Sequence, residues 1–273
     1  MTSWAEAGFQ IAANFFGKLV LQRHLIWNFV VRDLRMRYVG SLMGFFWAVV
    51  HPLVLLISYT FVFSLVFRIR PQTTATDNFA VFLFAGILPW LYFQDSLMRS
   101  CNSVVEHAHL IRKTVFPSEI LPVVTVLSNL VFHLVGLGIL LLVLVWMDLL
   151  GATVLLVPLY LLPLLVLALG LGWLLAALQV FLRDTSQVLS VVLVFWFWFT
   201  PIFYTVDMVP AAFRPLVSWN PVTAVVAGYR ACLLEGQGMM WGEWAWLWAA
   251  ALACFLFGGW VFRNTKREFL DVL

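Results

Sequence analysis

The sequence predicts an all-α polytopic membrane protein, and three observations carry that expectation. Of 273 residues, 63% are hydrophobic and only 11% charged, roughly half the charge of a soluble domain. A 31.1 kDa chain of that makeup has too little polar surface to cover itself in water, and its mean hydropathy of +0.98 also excludes intrinsic disorder. The remaining charges cluster between uncharged runs long enough to cross about 30 Å of hydrocarbon.

Those runs are 42–67, 78–94, 120–147, 149–182, 185–206 and 244–262, read as six transmembrane helices. The second extends past Asp95 toward residue 101. The fourth is trimmed to 158–181, because Asp148 to Thr153 reads as a turn. A further run, 215–229, is short for a span and holds Pro215 and Pro221. With Pro201 and Pro210 upstream, residues 201–235 are expected to form a broken helical hairpin that dips into one face of the membrane.

Six spans put both termini on one side. Twelve Lys and Arg residues fall there, against Arg68, Arg70, Arg214 and Arg230 on the other. The excess places both termini in the cytoplasm. Residues 1–38 form no span. Gln10, Asn14, Lys18 and Gln22 recur on one helical face, opposite Phe9, Phe16 and Val20, the pattern of an amphipathic segment lying on the membrane surface. The chain therefore divides into this segment, 1–38, and a transmembrane domain, 39–273.

Several function classes are excluded. A net charge of +3 is too slight for a nucleic-acid partner, and Cys101, Cys232 and Cys254 form neither a disulfide framework nor a metal knot. No G-x-x-x-x-G-K-[ST] phosphate loop and no G-x-S-x-G elbow occurs. His107 and His109 are two residues apart and point to different faces of a helix. Inside the spans only His51 and His133 are titratable, with Asp95 near a span end. Both histidines read as satisfied core residues, so a buried carboxylate for ion coupling is missing. The sequence thus predicts no catalytic residue, no metal and no cofactor in this chain, and an energy source supplied by another protein.

The aromatic content is the positive clue. There are 25 Phe, 14 Trp and 6 Tyr, including the runs Phe45-Phe46-Trp47 and Phe195-Trp196-Phe197-Trp198-Phe199. Packing and interface anchoring account for most of them. Five consecutive aromatics surround a helix, so some face protein or a pore. Phe45, Phe46, Trp47, Phe195, Trp196, Trp198 and Phe199 are the candidates for a channel lining, where ring faces stack on sugars. Between spans two and three, Glu106 to Pro117 reads as a short helix closed by proline, with Ser118-Glu119 as an N-terminal signal for the next span. Exposed Leu110, Ile111 and Phe116 there suit docking in another protein's groove.

The run Arg32-Asp33-Leu34-Arg35-Met36-Arg37-Tyr38-Val39-Gly40-Ser41-Leu42-Met43-Gly44, followed by Trp47 and Pro52, resembles the start of the first span in permeases of type-2 ABC polysaccharide exporters. The likeness continues in Leu110-Ile111-Arg112-Lys113, Phe116-Pro117, Glu119-Ile120-Leu121-Pro122, Pro201-Ile202-Phe203-Tyr204 and Asn220-Pro221. It is greatest to the O-antigen, or lipopolysaccharide, permease branch, with capsule and teichoic-acid permeases close behind.

The resemblance implies a homodimer in the bacterial inner membrane, bound to two copies of a cytoplasmic ATPase that holds ATP and Mg. Residues 106–117 become its coupling helix, with Leu110, Ile111, Arg112, Lys113, Phe116 and Pro117 at the contact. Residues 201–235 become a periplasmic gate built on Pro201, Tyr204, Asn220 and Pro221. The substrate becomes a polysaccharide on a polyprenyl-diphosphate lipid, threaded through a channel lined by spans one and five. Arg32, Arg35, Arg37 and Tyr38 are then candidates to attract that diphosphate, since guanidinium forks suit phosphate. The alternatives are export of drugs or lipids on the same fold, or a membrane enzyme acting on a lipid-linked sugar.

Overall fold

The computed structural model describes residues 21–37, 39, 44–67, 78–113 and 116–273. Among these the chain is entirely helical. Tyr38, the 1–20 half of the proposed surface segment, and Gly40 to Met43 lie outside the described residues.

Helix α1 (Arg23–Met36) turns Ile26 and Val30 inward and leaves Trp27 exposed. Helix α2 (Trp47–Tyr59) contains Pro52 and continues as a π-helical stretch, Thr60–Val66. Pro52 lacks the amide that would bond back one turn, and wide π turns accommodate such interruptions. Helix α3 (Phe79–Glu106) starts where the Asn78 side chain accepts the Ala80 amide at 3.0 Å, an N-cap that satisfies an orphan donor. It runs 28 residues and is almost wholly buried, so it forms the axis of the bundle.

The remaining elements follow in order: α4 (Ala108–Lys113), α5 (Ile120–Trp146), α6 (Val157–Phe181), α7 (Thr185–Phe199), α8 (Arg214–Ser218), α9 (Pro221–Leu233), α10 (Trp241–Thr265) and α11 (Phe269–Val272). The turn after α5 places Asp148 at φ +54°, a left-handed conformation that Asp tolerates better than most residues. The expected turn at Asp148 to Thr153 is present, with Ala152–Leu156 wound as a 3-10 lead-in to α6.

Among the described residues, four helices are long and apolar enough to cross a membrane: Phe79–Arg112, Ile120–Trp146, Ala152–Phe181 and Trp241–Thr265. Trp47–Phe63, Thr185–Phe199 and Pro221–Leu233 are apolar but shorter. The fifth expected span, 185–206, is therefore corrected. Its helix stops at Phe199, because the chain turns at Thr200 and Pro201.

The most extensive helix pair is α6 with α10. Gly170 and Gly258 bring the two backbones into contact: a Cβ on Gly258 would strike the Gly170 carbonyl, and one on Gly170 the backbone of Cys254 and Phe255. Small residues permit this approach where lipid removes most of the hydrophobic drive for helix pairing. Trp173 packs edge-on against Phe255 with centroids 5.1 Å apart, and the Trp244 indole donates to the Leu159 carbonyl at 3.0 Å.

Ser118-Glu119 does not cap α5 through a side chain. Glu119 is buried and accepts from Lys266 at 3.1 Å, and its carbonyl accepts from the Trp173 indole at 3.0 Å. A buried carboxylate needs such a partner, so this residue anchors the end of α10 rather than starting a helix.

Candidate functional site

The candidate residues gather at opposite ends of the bundle. One end holds α1, α4, the start of α2 and the C-terminal part of α3. Here Asp33 accepts from Arg37 Nε and from Arg99 Nη2, both at 3.0 Å. Arg37 Nη2 also donates to Asn129 Oδ1 at 2.7 Å, and Asn129 donates to the Ser96 hydroxyl at 3.3 Å. Two guanidiniums and a carboxylate thus weld α1 to α3 and α5. Of the three candidate phosphate-binding arginines, Arg37 is engaged in this weld, whereas Arg32 and Arg35 are exposed.

Helix α4 sits at the same end. His107 breaks α3 from α4, and its Nδ1 donates to the Ser103 carbonyl at 2.9 Å. Arg112 is exposed. Ile111 is not: it is only 8% exposed and belongs to the core. Phe116 is half-buried and packs on Phe29 of α1, with centroids 5.3 Å apart. A helix of six residues is too short to stand free, and it holds its place by turning these apolar side chains inward. Leu110 and Pro117 are partly exposed, and of Lys113 only its place at the end of α4 is described.

At the other end, Asn220 does three things. Its Oδ1 accepts the Val222 amide at 3.0 Å, capping α9, and accepts the Trp196 indole at 2.9 Å. Its Nδ2 donates to the Thr200 hydroxyl at 2.9 Å. Pro221 follows at the first position of α9, where its missing amide costs nothing. The Tyr204 hydroxyl donates to the Trp198 carbonyl at 2.8 Å.

Pro201 supplies a carbonyl to the residue that organises this end, Arg230. Only 6% exposed, Arg230 donates from Nη1 to the Pro201 carbonyl at 2.7 Å, from Nη2 to the Ile202 carbonyl, and from Nε to the Phe82 carbonyl at 3.4 Å. Its guanidinium lies 3.6 Å from the Phe82 ring centroid and covers Gly86, where a Cβ would collide with it. Sequence reasoning counted Arg230 only toward sidedness. The missed signal was a cation directly after the uncharged run 215–229, in a segment already read as entering the membrane, where an ionisable residue is functional by default.

The aromatic candidates separate. Phe195 is 64% exposed and Trp198 61%, with Phe199, Phe46 and Trp47 also outward. Trp196 is corrected: it packs inward against Phe93 at 5.1 Å and is held by Asn220. The side chain of Phe45 is outside the described ones. The two histidines also separate. His133 is buried and shares a 2.9 Å hydrogen bond with Tyr229, as a core residue does, but His51 is exposed. No group of His, Cys, Asp and Glu among the described residues is placed to hold a metal.

Residues 24–234 match the membrane family described as ABC-2 type transporter. The chain belongs to that family. This ABC-2 transporter chain is similar along most of its length to curated proteins. It is 28% identical over 247 residues to the O-antigen export system permease protein RfbA of Klebsiella pneumoniae, covering 89% of this chain and 92% of that one. With RfbA of Myxococcus xanthus the identity is 29% over 221 residues, 80% and 83% of the two chains. With the polysialic acid transport protein KpsM of Escherichia coli it is 23% over 212 residues, 76% and 80%. The ABC-2 match spans both clusters, from α1 to the end of α9.

Proposed function

We propose that the chain is the membrane permease subunit of an ATP-driven exporter that carries a lipid-linked polysaccharide of O-antigen type across the bacterial inner membrane. The observation that carries this reading is the family match from residue 24 to 234, joined to relatives named for O-antigen export that align over nine-tenths of their length. Two copies form the channel. A separate ATPase, two copies per complex, binds ATP and Mg, so this chain is a transport subunit and not an enzyme.

Six spans cross the membrane, with α2 and α7 as the first and fifth. Their short helices are completed by the turns at their ends, and the exposed Phe46, Trp47, Phe195, Trp198 and Phe199 lie toward the channel. Both termini are cytoplasmic, with residues 1–38 as the interface segment and 39–273 as the transmembrane domain. The α1–α4 end is the cytoplasmic face, where Arg32 and Arg35 meet the diphosphate of the lipid carrier. Helix α9 begins beside Thr200 and ends where Thr153 donates to the Cys232 carbonyl at 2.7 Å, which supports a re-entrant helix at the periplasmic face.

This arrangement gives a mechanism. Helix α4 takes the push of the ATPase, and α3 is one continuous helix of about 42 Å at 1.5 Å per residue, its backbone ladder interrupted once at Pro89. At its far end α3 meets Arg230 through Phe82 and Gly86. A displacement at α4 therefore reaches the carbonyls of Pro201 and Ile202 through a single side chain.

Two experiments test the reading. Disrupting the chain should leave lipid-linked glycan accumulating inside the cell, and loss of drug resistance without glycan accumulation would favour a different cargo. Arg112→Glu should cut export at least tenfold while ATP hydrolysis continues, because a reversed charge at the exposed face of α4 repels the partner groove. Unchanged export with that variant would remove α4 from the docking surface.

A further inference from the structure

A cavity of about 420 Å³ opens between α2, α3 and α5, running along α3 from Arg99 to Phe84, within the size range of small-molecule sites. It lies between helices of one subunit, and Trp47 at its rim belongs also to the outward face of α2. Trp47 and Phe132 supply aromatic walls, and Asp95, Arg99, His51 and Tyr92 supply polar groups.

The charges of the cavity decide what it takes. Arg37 and Arg99 both bind Asp33, and Asp95 stands one turn from Arg99 on α3. Two guanidiniums are balanced by two carboxylates, so no net positive field remains to hold a diphosphate. Any anion entering would also meet the Asp95 carboxylate, which is exposed in the cavity. A neutral polyol has no such conflict. Its ring stacks on Trp47, the Asp95 carboxylate accepts from its hydroxyl groups, and the neighbouring Arg99 guanidinium donates to them. Two wall residues, Tyr92 and His133, are buried and turned toward protein partners, Tyr92 beside Ser96 and His133 on Tyr229.

We infer that this cavity binds a neutral sugar unit of the exported glycan, and that the phosphate-bearing end of the lipid is held elsewhere, by Arg32 and Arg35. The inference rests on the reading of the chain as a glycan permease.

The test is thiol protection in inverted membranes holding the full complex. Leu91, part-exposed in the cavity wall, is replaced by cysteine (Leu91→Cys) and modified with N-ethylmaleimide. Cys101 and Cys232 are buried, and Cys254 is removed as Cys254→Ser. Membranes are compared with the cell's own lipid-linked glycan, with polyprenyl diphosphate lacking sugar, and with neither. Glycan is expected to slow modification about tenfold and the sugar-free lipid to leave the rate unchanged. Adding Asp95→Ala or Trp47→Ala should restore the unprotected rate.

Equal rates in all three membranes, protection by polyprenyl diphosphate alone, or no reaction in any membrane would each overturn the assignment. If disruption of the chain still causes glycan to accumulate, those results sink the cavity and leave the permease reading standing. If it does not, the permease reading falls first.

Discussion

Arg230→Leu is expected to destabilise the chain by about 3–5 kcal/mol, since hydrogen bonds to charged groups contribute about 1.5–3 kcal/mol each and the bereft carbonyls stay buried. In thermal unfolding of the detergent-solubilised complex the midpoint should fall by several degrees. The physical reason is that the turn after α7 has no ladder of its own. The carbonyls of Pro201 and Ile202 point at one guanidinium, which also bridges to Phe82 of α3. Arg230→Lys should fall in between, because an ammonium keeps the charge but lacks the fork that meets two carbonyls at once. Arg214 is the control. It too donates to two carbonyls, Val209 at 2.8 Å and Asp207 at 2.8 Å, but it is exposed, so Arg214→Ala should cost less than about 1 kcal/mol. Equal effects at the two arginines would show that Arg230 is not a lock. In cells, Arg230→Lys should admit periplasmic probes that the native gate excludes.

Gly258→Ala is expected to be the most damaging single-methyl change in the molecule. Alanine is intrinsically better than glycine in a helix by about 1 kcal/mol. Overpacking typically costs about 1–3 kcal/mol, and here the obstacle is the backbone carbonyl of Gly170, which no rotamer change moves. The steric cost wins, α10 separates from α6, and the Trp173 contact with Phe255 opens with it. The adjacent residue discriminates. A Cβ on Gly259 meets only the Trp173 ring, at 3.8 Å, an ordinary contact, so Gly259→Ala should be neutral or slightly stabilising. Comparing the unfolding midpoints of the two variants checks this, and similar losses at both positions would contradict the close approach.

Much of the fold was legible because each long helix lies in a continuous apolar run with charges or prolines at its ends. The fourth span was expected at 158–181 and the helix is Val157–Phe181. The third was expected at 120–147 and the helix is Ile120–Trp146. The fifth was overestimated, because Thr200 and Pro201 end the helix while the hydrophobicity continues to Val206. Hydropathy records transfer into lipid and does not register where backbone hydrogen bonds stop.

The candidate sites were legible as segments and not as contacts. Pro201 and Asn220 were found as punctuation, yet Trp196 was grouped with its neighbours as a channel-lining candidate. Asn220, 24 residues away, and Phe93 hold it inward. Ile111 was assigned to the docking face of α4, and the short helix needs it for its own attachment.

Residue types and their spacing determined that this chain is a helical membrane protein with its charge outside the spans. They also marked 106–117 and 201–235 as the segments expected to touch a partner and to dip into the membrane. Each of those is a local property of transfer free energy or backbone geometry. The tertiary structure decided which charges are spent. Asp33 is shared between Arg37 and Arg99, Glu119 holds Lys266, and Arg230 closes on Pro201 and Ile202. These pairings join residues up to 147 positions apart. A lone charge in low dielectric must find a partner, but which partner depends on the helices that packing brings together.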